Sequence, residues 1–357
     1  MTVTRIAEKA GVSIATVSRV LNNSRPVDPA IVERVHKAVE QLGIRGSTQS
    51  RRRGRLADRE IQVPTTIAIV SLGQRYREWF EVPVIAGVVA ELNRAAQESH
   101  MGVMMAEMPD PTELNPVLRR SGAAGAIVFI SSETQLTTKD AALLRSQFPV
   151  VRVMGWQLSV TDIDHVCPDH NAIGHLASQY LLEQGLTNLA YLTTQPTWDF
   201  AKQRAQGFMA GAEAAGISPT MYLQDNQSGP LGTYGVNTVR EKELERLIDR
   251  MAETRKGRFG LFIFRDAETV HIYPLLRAKG LEPGRDVIVV SCDNEAIRLS
   301  ALQPRPASID LGAAEIAHLA VSRLSRRIQH KNEPPARILV SPRLVTGEGQ
   351  AVTTSRS

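Results

Sequence analysis

Cysteine is nearly absent from this chain: 357 residues hold two, Cys167 and Cys292, far apart and each without a near neighbour. That excludes a disulfide framework and a CxxC metal pair, and predicts two structural thiols in a reducing cytoplasm. Long apolar runs are missing too. Stretches such as Ile67–Val70 and Ala126–Ile130 have strand length, and the first twenty residues lack the apolar core of a signal peptide. The expectation is a cytoplasmic protein with no membrane partner. A glycine-rich phosphate loop with Lys-Ser/Thr, an HExxH and a Gly-x-Ser-x-Gly are likewise absent, so no cofactor, no metal and no catalytic residues are expected. His165, Asp169 and His170 resemble a metal cluster in type, but at a strand-to-helix junction they read as a helix cap and surface histidines. Aromatics are scarce, at 5% with three Trp. A Trp in a loop after a strand is therefore informative.

What is present is charge, unevenly placed. Residues 1–60 hold twelve Lys/Arg against six Asp/Glu, whereas the whole chain is only +5. A basic head on a near-neutral body points to a polyanion for the head and a small ligand or protein for the body. The length predicts two or three compact units.

In the head, Val3–Ala10 reads as a short helix with Thr2 as its cap. Gly11 supplies a positive φ for a sharp turn, and Ser13 caps a second helix over Ile14–Asn22. Asp28-Pro29 starts a third, with Ile31, Val35, Ala38/Val39 and Leu42 as its buried stripe and Gly43 closing it. Two short helices joined by a tight glycine turn, with a supporting third, form the helix-turn-helix pattern, whose second helix enters the DNA major groove. A protein-binding three-helix unit is the competing reading. The charge and the exposed Ser, Thr, Arg and Asn of the second helix weigh against it.

The stretch Ala10-Gly-Val-Ser-x-x-Thr-Val-Ser-Arg-Val-Leu-Asn22 resembles the head of the lactose-repressor/galactose-repressor (LacI/GalR) family. The resemblance implies that Ile14 and Ala15 select bases and that Ser13, Thr16, Ser18 and Arg19 contact phosphates and base edges. Thr2 and Asn22 join the same interface. Apolar side chains at 14 and 15 meet thymine methyls, and Arg19 suits a bidentate guanine contact.

Residues 46–64 form a basic link containing Arg51-Arg52-Arg53-Gly54-Arg55. Such a run usually reads as a solvated linker. In the family it resembles, this segment becomes a short helix on DNA with a leucine wedged into the minor groove. Here Arg51 fits the family pattern, while Arg53 stands at the leucine's place. Leu56 serves only in a shifted register, and the alternative is arginines entering a narrow minor groove without kinking it.

The body, residues 65–346, alternates strand-length apolar runs (66–71, 102–106, 125–131, 150–154, 188–194, 259–264, 287–292) with helical stretches (84–98, 171–184, 201–215, 241–253, 268–279, 312–329). This predicts parallel α/β sheets, and about 280 residues suit two lobes. The expected fold class is thus an all-α helix-turn-helix head plus an α/β two-lobed body with parallel sheets, with a helical unit at 1–45 and a tail at 347–357. Asp169-His-Asn-x-x-Gly174, Arg204-x-x-Gly-Phe208 and Ser291-Cys-Asp293 resemble the family's body motifs. They imply a periplasmic-binding-protein-like fold that sandwiches a small-molecule effector, a sugar or metabolite, and whose chain crosses between lobes three times. Arg204 and Asp293 are its expected ligand contacts. Asp266 after a strand end is a further one, with a helix cap as its competing role. Trp79, Phe80 and Trp198, read as loop residues, are candidates to stack on a sugar ring. Arg265 replaces an Asn of the family pattern, and Met154 stands where relatives carry a polar contact.

The reading is a homodimeric, metabolite-responsive repressor that binds double-stranded operator DNA. An α/β carbohydrate carrier or enzyme with an incidental basic head remains the rival, as does a regulator whose pocket signals nothing.

Overall fold

A computed structural model describes residues 2–22, 27–42, 65–73, 75–110, 116–130, 137–155, 162–224, 238–254 and 257–347. The chain divides into two compact units, residues 1–63 and 64–357.

The first unit holds α1 (Thr2–Ala10), α2 (Ile14–Asn22) and α3 (Pro29–Gln41). Its core is small: Ile6, Ala7, Ala10, Val17, Val35 and Ala38, with Val12, Val20 and Ile31 packed against it. These are the positions that a 3.6-residue period predicts. The apolar area is modest, and polar contacts add to it. Arg34 of α3 donates from Nε and Nη2 to the Ala10 carbonyl (3.2 and 2.5 Å), closing the turn between α1 and α2. Asp28 caps α3 by accepting from Ala30 N at 2.8 Å.

The second unit begins with β1 (Thr66–Leu72), α4 (Tyr76–Phe80), α5 (Pro83–Glu98), β2 (Gly102–Met108), α6 (Pro116–Arg120), β3 (Gly125–Ile130), α7 (Thr138–Gln147), β4 (Val150–Val153) and β5 (Asp164–Pro168). It continues with α8 (His170–Glu183), β6 (Leu189–Thr193), α9 (Asp199–Ala214), β7 (Thr220–Leu223), α10 (Thr238–Thr254), β8 (Phe259–Ile263) and α11 (Asp266–Ala278). Then come β9 (Val287–Cys292), α12 (Ala296–Leu299), β10 (Ala307–Asp310), α13 (Ala313–Gln329), β11 (Arg337–Val340) and β12 (Arg343–Val345).

These strands form two six-stranded sheets, in the orders β11-β5-β4-β3-β1-β2 and β12-β10-β9-β8-β6-β7. The first is parallel throughout. In the second only β12 runs antiparallel, against β10. The chain passes from the first sheet to the second after β5, returns between β10 and β11, and crosses again before β12. The two-lobed α/β fold class read from the sequence is the one observed. Central strands β3, β8 and β9 are buried on both faces, as parallel sheets covered by helices must be. One continuous apolar cluster runs through both lobes, from Ile67, Trp79 and Phe129 in the first to Trp198, Phe208 and Val290 in the second.

Glycines set the tightest helix contact. A Cβ on Gly207 of α9 would lie 1.9 Å from the Asn171 carbonyl oxygen of α8, and one on Gly174 of α8 would lie 1.9 Å from the Arg204 carbonyl oxygen. The glycines of the Asp169-His-Asn-x-x-Gly174 and Arg204-x-x-Gly207 motifs therefore face each other's helix. Their lack of side chains lets α8 and α9 pack backbone to backbone, and this seats Arg204.

Candidate nucleic-acid interface and polar cluster

In the head, Gly11 has φ +64°, the left-handed turn its position requires. Ser13 Oγ accepts from Thr16 N at 3.1 Å and lies 2.9 Å from Thr16 Oγ1. The start of α2 is thus fixed by the two hydroxyl residues expected at the interface. Ser13, Ile14, Ala15, Ser18 and Arg19 are exposed and Thr16 is half-buried, whereas Val17 is fully buried. Ile14 is 52% exposed, an apolar side chain held in water at the leading turn of the helix. That cost is relieved when it meets another apolar group such as a thymine methyl. The side chains of Thr2 and Asn22 lie outside the described residues, and so do Arg51, Arg53 and Leu56 with the whole link.

In the body, the polar residues gather where strands end. Trp198 follows β6, the Phe264-Arg265-Asp266 run follows β8, and Asp293 follows β9. Parallel pairing of β6, β8 and β9 brings these carboxyl ends to one edge of the second sheet, the usual crevice of open α/β folds. Arg204, 2% exposed, donates from Nη1 to the Phe264 carbonyl at 2.6 Å and from Nη2 to Asp293 Oδ1 at 3.2 Å. Its guanidinium carbon lies 4.9 Å from the Phe264 ring centroid and 5.7 Å from that of Phe200. Asp293 sits in the left-handed region at φ +102°, anchored by its N–H to the Ile309 carbonyl at 2.9 Å. Neighbouring Asn294 donates to Asp310 at 2.8 Å. Burial pushes the Asp293 carboxyl up, and Arg204 opposes that shift.

Arg265, 4% exposed, lies 5.4 Å over the Trp198 ring, with Nε 3.6 Å from Glu268. Glu268 also accepts from the Thr194 hydroxyl at 2.8 Å. Trp198, Phe200 and Phe264 pack on one another, with centroids 5.1 and 5.4 Å apart in turn. His170 packs on Phe200 at 5.4 Å.

The structure therefore gathers Trp198, Arg204 and Asp293 into one aromatic-walled charged cluster. Asp266 stands differently. It is fully buried at the first turn of α11, and its carboxylate accepts from the hydroxyls of Ser291 and Ser308 and from Glu295 N. Its oxygens tie the start of α11 to β9, β10 and the N-cap of α12, which makes it scaffold rather than wall. Burial and the Asp293 charge push it up to about 8.

Other expectations need correction. Trp79 lies on helix α4 rather than in a loop, and is 1% exposed in the first lobe's core against Phe129 at 4.6 Å. Phe80 ends the same helix and stays 57% exposed. His165 and His170 are buried, not surface residues. The His165 ring bonds the Met154 carbonyl at 2.7 Å and Arg152 at 3.0 Å, and burial lowers both histidines well below the usual range. Asp169 caps α8 through Ala172 N at 2.9 Å. Among the described residues no group of three His, Cys, Asp or Glu is placed to hold a metal ion. Phe200, Phe264 and Glu268 belong to the cluster and were not singled out by sequence; Arg265, noted there only as replacing an Asn of the family pattern, joins them. The signal for Phe264 and Arg265 was their position at a strand's carboxyl end; Phe200 carried none beyond its spacing from Trp198.

No helix among the described residues is long and apolar enough to cross a membrane. Residues 2–45 match the model for bacterial regulatory proteins of the lacI family. Residues 73–229 match periplasmic binding proteins and the sugar-binding domain of that family, and residues 178–349 match a periplasmic binding protein-like domain. The HTH-type transcriptional repressor PurR of Aliivibrio fischeri strain ATCC 700601 / ES114 is 26% identical over 355 residues, covering 97% of each chain. The ribose operon repressor of Escherichia coli K12 is 23% identical over 346 residues, covering 95% of this chain and 97% of its own. Among solved structures, a transcriptional regulator CelR–cellobiose complex superposes with a TM-score of 0.64 at 22% identity, over 98% of this chain and 100% of that one. A LacI family regulator from Enterococcus faecium with bound ribose superposes at 0.60 with 15% identity, over 79% and 97%.

Proposed function

The chain belongs to the lacI family of bacterial regulatory proteins, and on that premise we propose that it is a cytoplasmic, homodimeric repressor whose operator binding answers to a sugar-like metabolite held in the body. The observation that carries this reading is the joining in one chain of two sites. One is an exposed, capped second helix that leads with Ser13, Ile14 and Ala15. The other is a buried Arg204–Asp293 pair walled by Trp198, Phe200 and Phe264.

The chemistry of the second site favours a neutral, hydroxyl-rich ligand. Arg204 and Arg265 are balanced by Asp293 and Glu268, so the cluster has no uncompensated charge to offer an ion. An Arg–Asp pair gives one donor fork and one acceptor, and aromatic faces cover the apolar side of a sugar ring. Such groups suit holding a ligand, and signalling rather than turnover is the role proposed. Two solved structures of the same fold hold cellobiose or ribose, which supports a sugar-type effector without naming one. Two heads in a twofold dimer would bracket two half-sites about one helical turn apart.

The test is selection of bound sequences from random duplex DNA, followed by salt titration. A near-palindromic consensus is expected. With roughly 8–12 phosphates neutralised per dimer, log K should fall against log[salt] with a slope of about −7 to −11. A flat salt response and no consensus would overturn the DNA reading. Calorimetry against a sugar panel tests the second site.

A further inference from the structure

Helix α5 begins without a cap of its own. Its N-cap is Val82, with no side-chain hydrogen bond, and Pro83 follows at the first helical position. The N–H of Val84 would be left open, since a helix's first turn has no intrahelical acceptors. It is filled from the other lobe: Glu295 Oε1 accepts from Val84 N at 3.3 Å. Glu295 precedes α12 as its N-cap but makes no side-chain hydrogen bond to its own helix. Its carboxylate reaches across the lobe boundary instead, and Arg298 Nε holds the second oxygen at 2.5 Å. The side chain is 2% exposed in this arrangement.

We propose that Glu295 is a clasp between the two lobes, and that its protonation state sets how firmly the first turn of α5 is held against the second lobe.

The surroundings make that state responsive. Burial first, and the Asp293 carboxylate second, push Glu295 up to about 7, against the opposing pull of Arg298, the Val84 N–H and Arg265. Asp266 faces it as well, accepting from the Glu295 N–H at 2.7 Å. On the first lobe, the charges nearest in sequence to the α5 start, Arg77 and Glu81, pair with each other at the surface at 3.1 Å. A glutamate freed into water titrates near its usual 4.5. The clasped form therefore has the raised value, and its protonated state is favoured. That contribution is complete below about 4.5 and is lost as pH rises through about 7. The clasp tightens on acidification and loosens on the alkaline side of neutrality.

Asp293 connects this to the polar cluster. It is the carboxylate that Arg204 holds, and its charge bears directly on Glu295. Occupancy beside Asp293 and lobe closure thus act on one electrostatic set. The inference concerns regulation of that same site and rests on the regulator reading. Its test needs neither operator nor effector, so either can fail alone.

The experiment is hydrogen–deuterium exchange by mass spectrometry on the full chain, corrected for the intrinsic pH dependence of exchange. It follows peptides covering residues 76–90 and 293–302, at pH 6 and pH 8, in wild type, Glu295→Ala and Glu295→Gln. In wild type both peptides should exchange faster at pH 8 than at pH 6. Glu295→Ala should speed exchange about tenfold in both peptides and remove the pH difference. Glu295→Gln keeps the acceptor oxygen, so it should stay near the wild-type pH 6 rate at both values. Unchanged protection of 76–90 in Glu295→Ala, or a change confined to 293–302, would reduce Glu295 to a local support of α12. A pH difference that persists in Glu295→Gln would assign it to another group. Should Glu295→Ala fail to fold, the wild-type pH pair and Glu295→Gln still decide the matter.

Discussion

Replacing Gly207 by alanine puts one methyl group where the Asn171 carbonyl of α8 already lies 1.9 Å away, with Asn171 Cα at 3.1 Å. Ordinary contact begins at 3.4 Å, so α8 and α9 must part by about 1.5 Å if the strain is relieved by translation alone. The obstacle is backbone, which cannot swing aside as a side chain does. Overpacking of this kind costs roughly 1–3 kcal/mol and more where the backbone must move. For a unit of this size that corresponds to a loss of about 2–12 °C in melting temperature. The functional effect should be larger than the stability effect. Arg204 lies one turn before Gly207, and its bond to the Phe264 carbonyl is 2.6 Å long. A shift of 1 Å or more breaks it and detaches the guanidinium from Asp293. Gly87, in α5, is the control: a Cβ there meets nothing within 4 Å. Gly87→Ala should be neutral or stabilise by about 0.5–1 kcal/mol through helix propensity. Urea unfolding of both variants, with calorimetry against an effector found in the sugar panel, decides it. If Gly207→Ala unfolds within about 0.5 kcal/mol of wild type, the close approach of α8 and α9 is not what seats Arg204.

Other outcomes follow from the same geometry. Arg204→Ala or Asp293→Ala should cost about 1.5–3 kcal/mol in effector binding for each lost charged hydrogen bond, leaving operator affinity without effector nearly unchanged. Unchanged calorimetric affinity in both would remove the pocket assignment. Asp266→Ala leaves Ser291, Ser308 and Glu295 N without their acceptor. It should destabilise the body by about 2–5 kcal/mol in urea, a loss a mere ligand contact would not show. Exchanging Ile14 or Ala15 should change the selected operator sequence rather than abolish binding; identical consensus sites would displace α2 as the reading helix. Replacing Arg51, Arg52 and Arg53 together with Ala should weaken all DNA sequences alike and flatten the salt slope, whereas Leu56→Ala should do little. A severe, operator-specific loss from Leu56→Ala would show that the leucine wedge operates in a shifted register.

The parts of the fold that could be read from the chain are those where burial is two-sided. β3, β8 and β9 are covered on both faces and appear as unbroken apolar runs. Strands that escaped notice carry polar residues or lie at an edge. β5 starts with Asp164 and His165, whose partners come from α13, from β4 and from the stretch before β11. β7, β11 and β12 are edge strands of three or four residues with partial exposure. Helix α7 hid because its sequence is weakly periodic, though the Thr137–Asp140 capping box marks its start. At the site, Arg204 and Asp293 were legible through motif spacing. Trp79 was misread because one tryptophan after a strand fits a ligand wall and a core equally well, and only packing against Phe129 separates the two. Glu295 gave no local sign, since its partner Val84 is 211 positions away.

The order in which the sheets close has a consequence for biosynthesis. Each lobe takes one edge strand from the last segment of the body: β11 pairs with β5, and β12 with β10. On the ribosome, β5 must wait for some 170 further residues before its outer neighbour exists, and the first lobe stands in the meantime with that edge unsatisfied. The core of the small head, by contrast, lies among the described residues within 3–42. A chain interrupted before Arg337 would therefore carry a finished reading head on a body open at both sheets. Such a fragment is a natural substrate for chaperones and proteases. Quality control that removes it would also prevent a head without a complete body from occupying operator DNA.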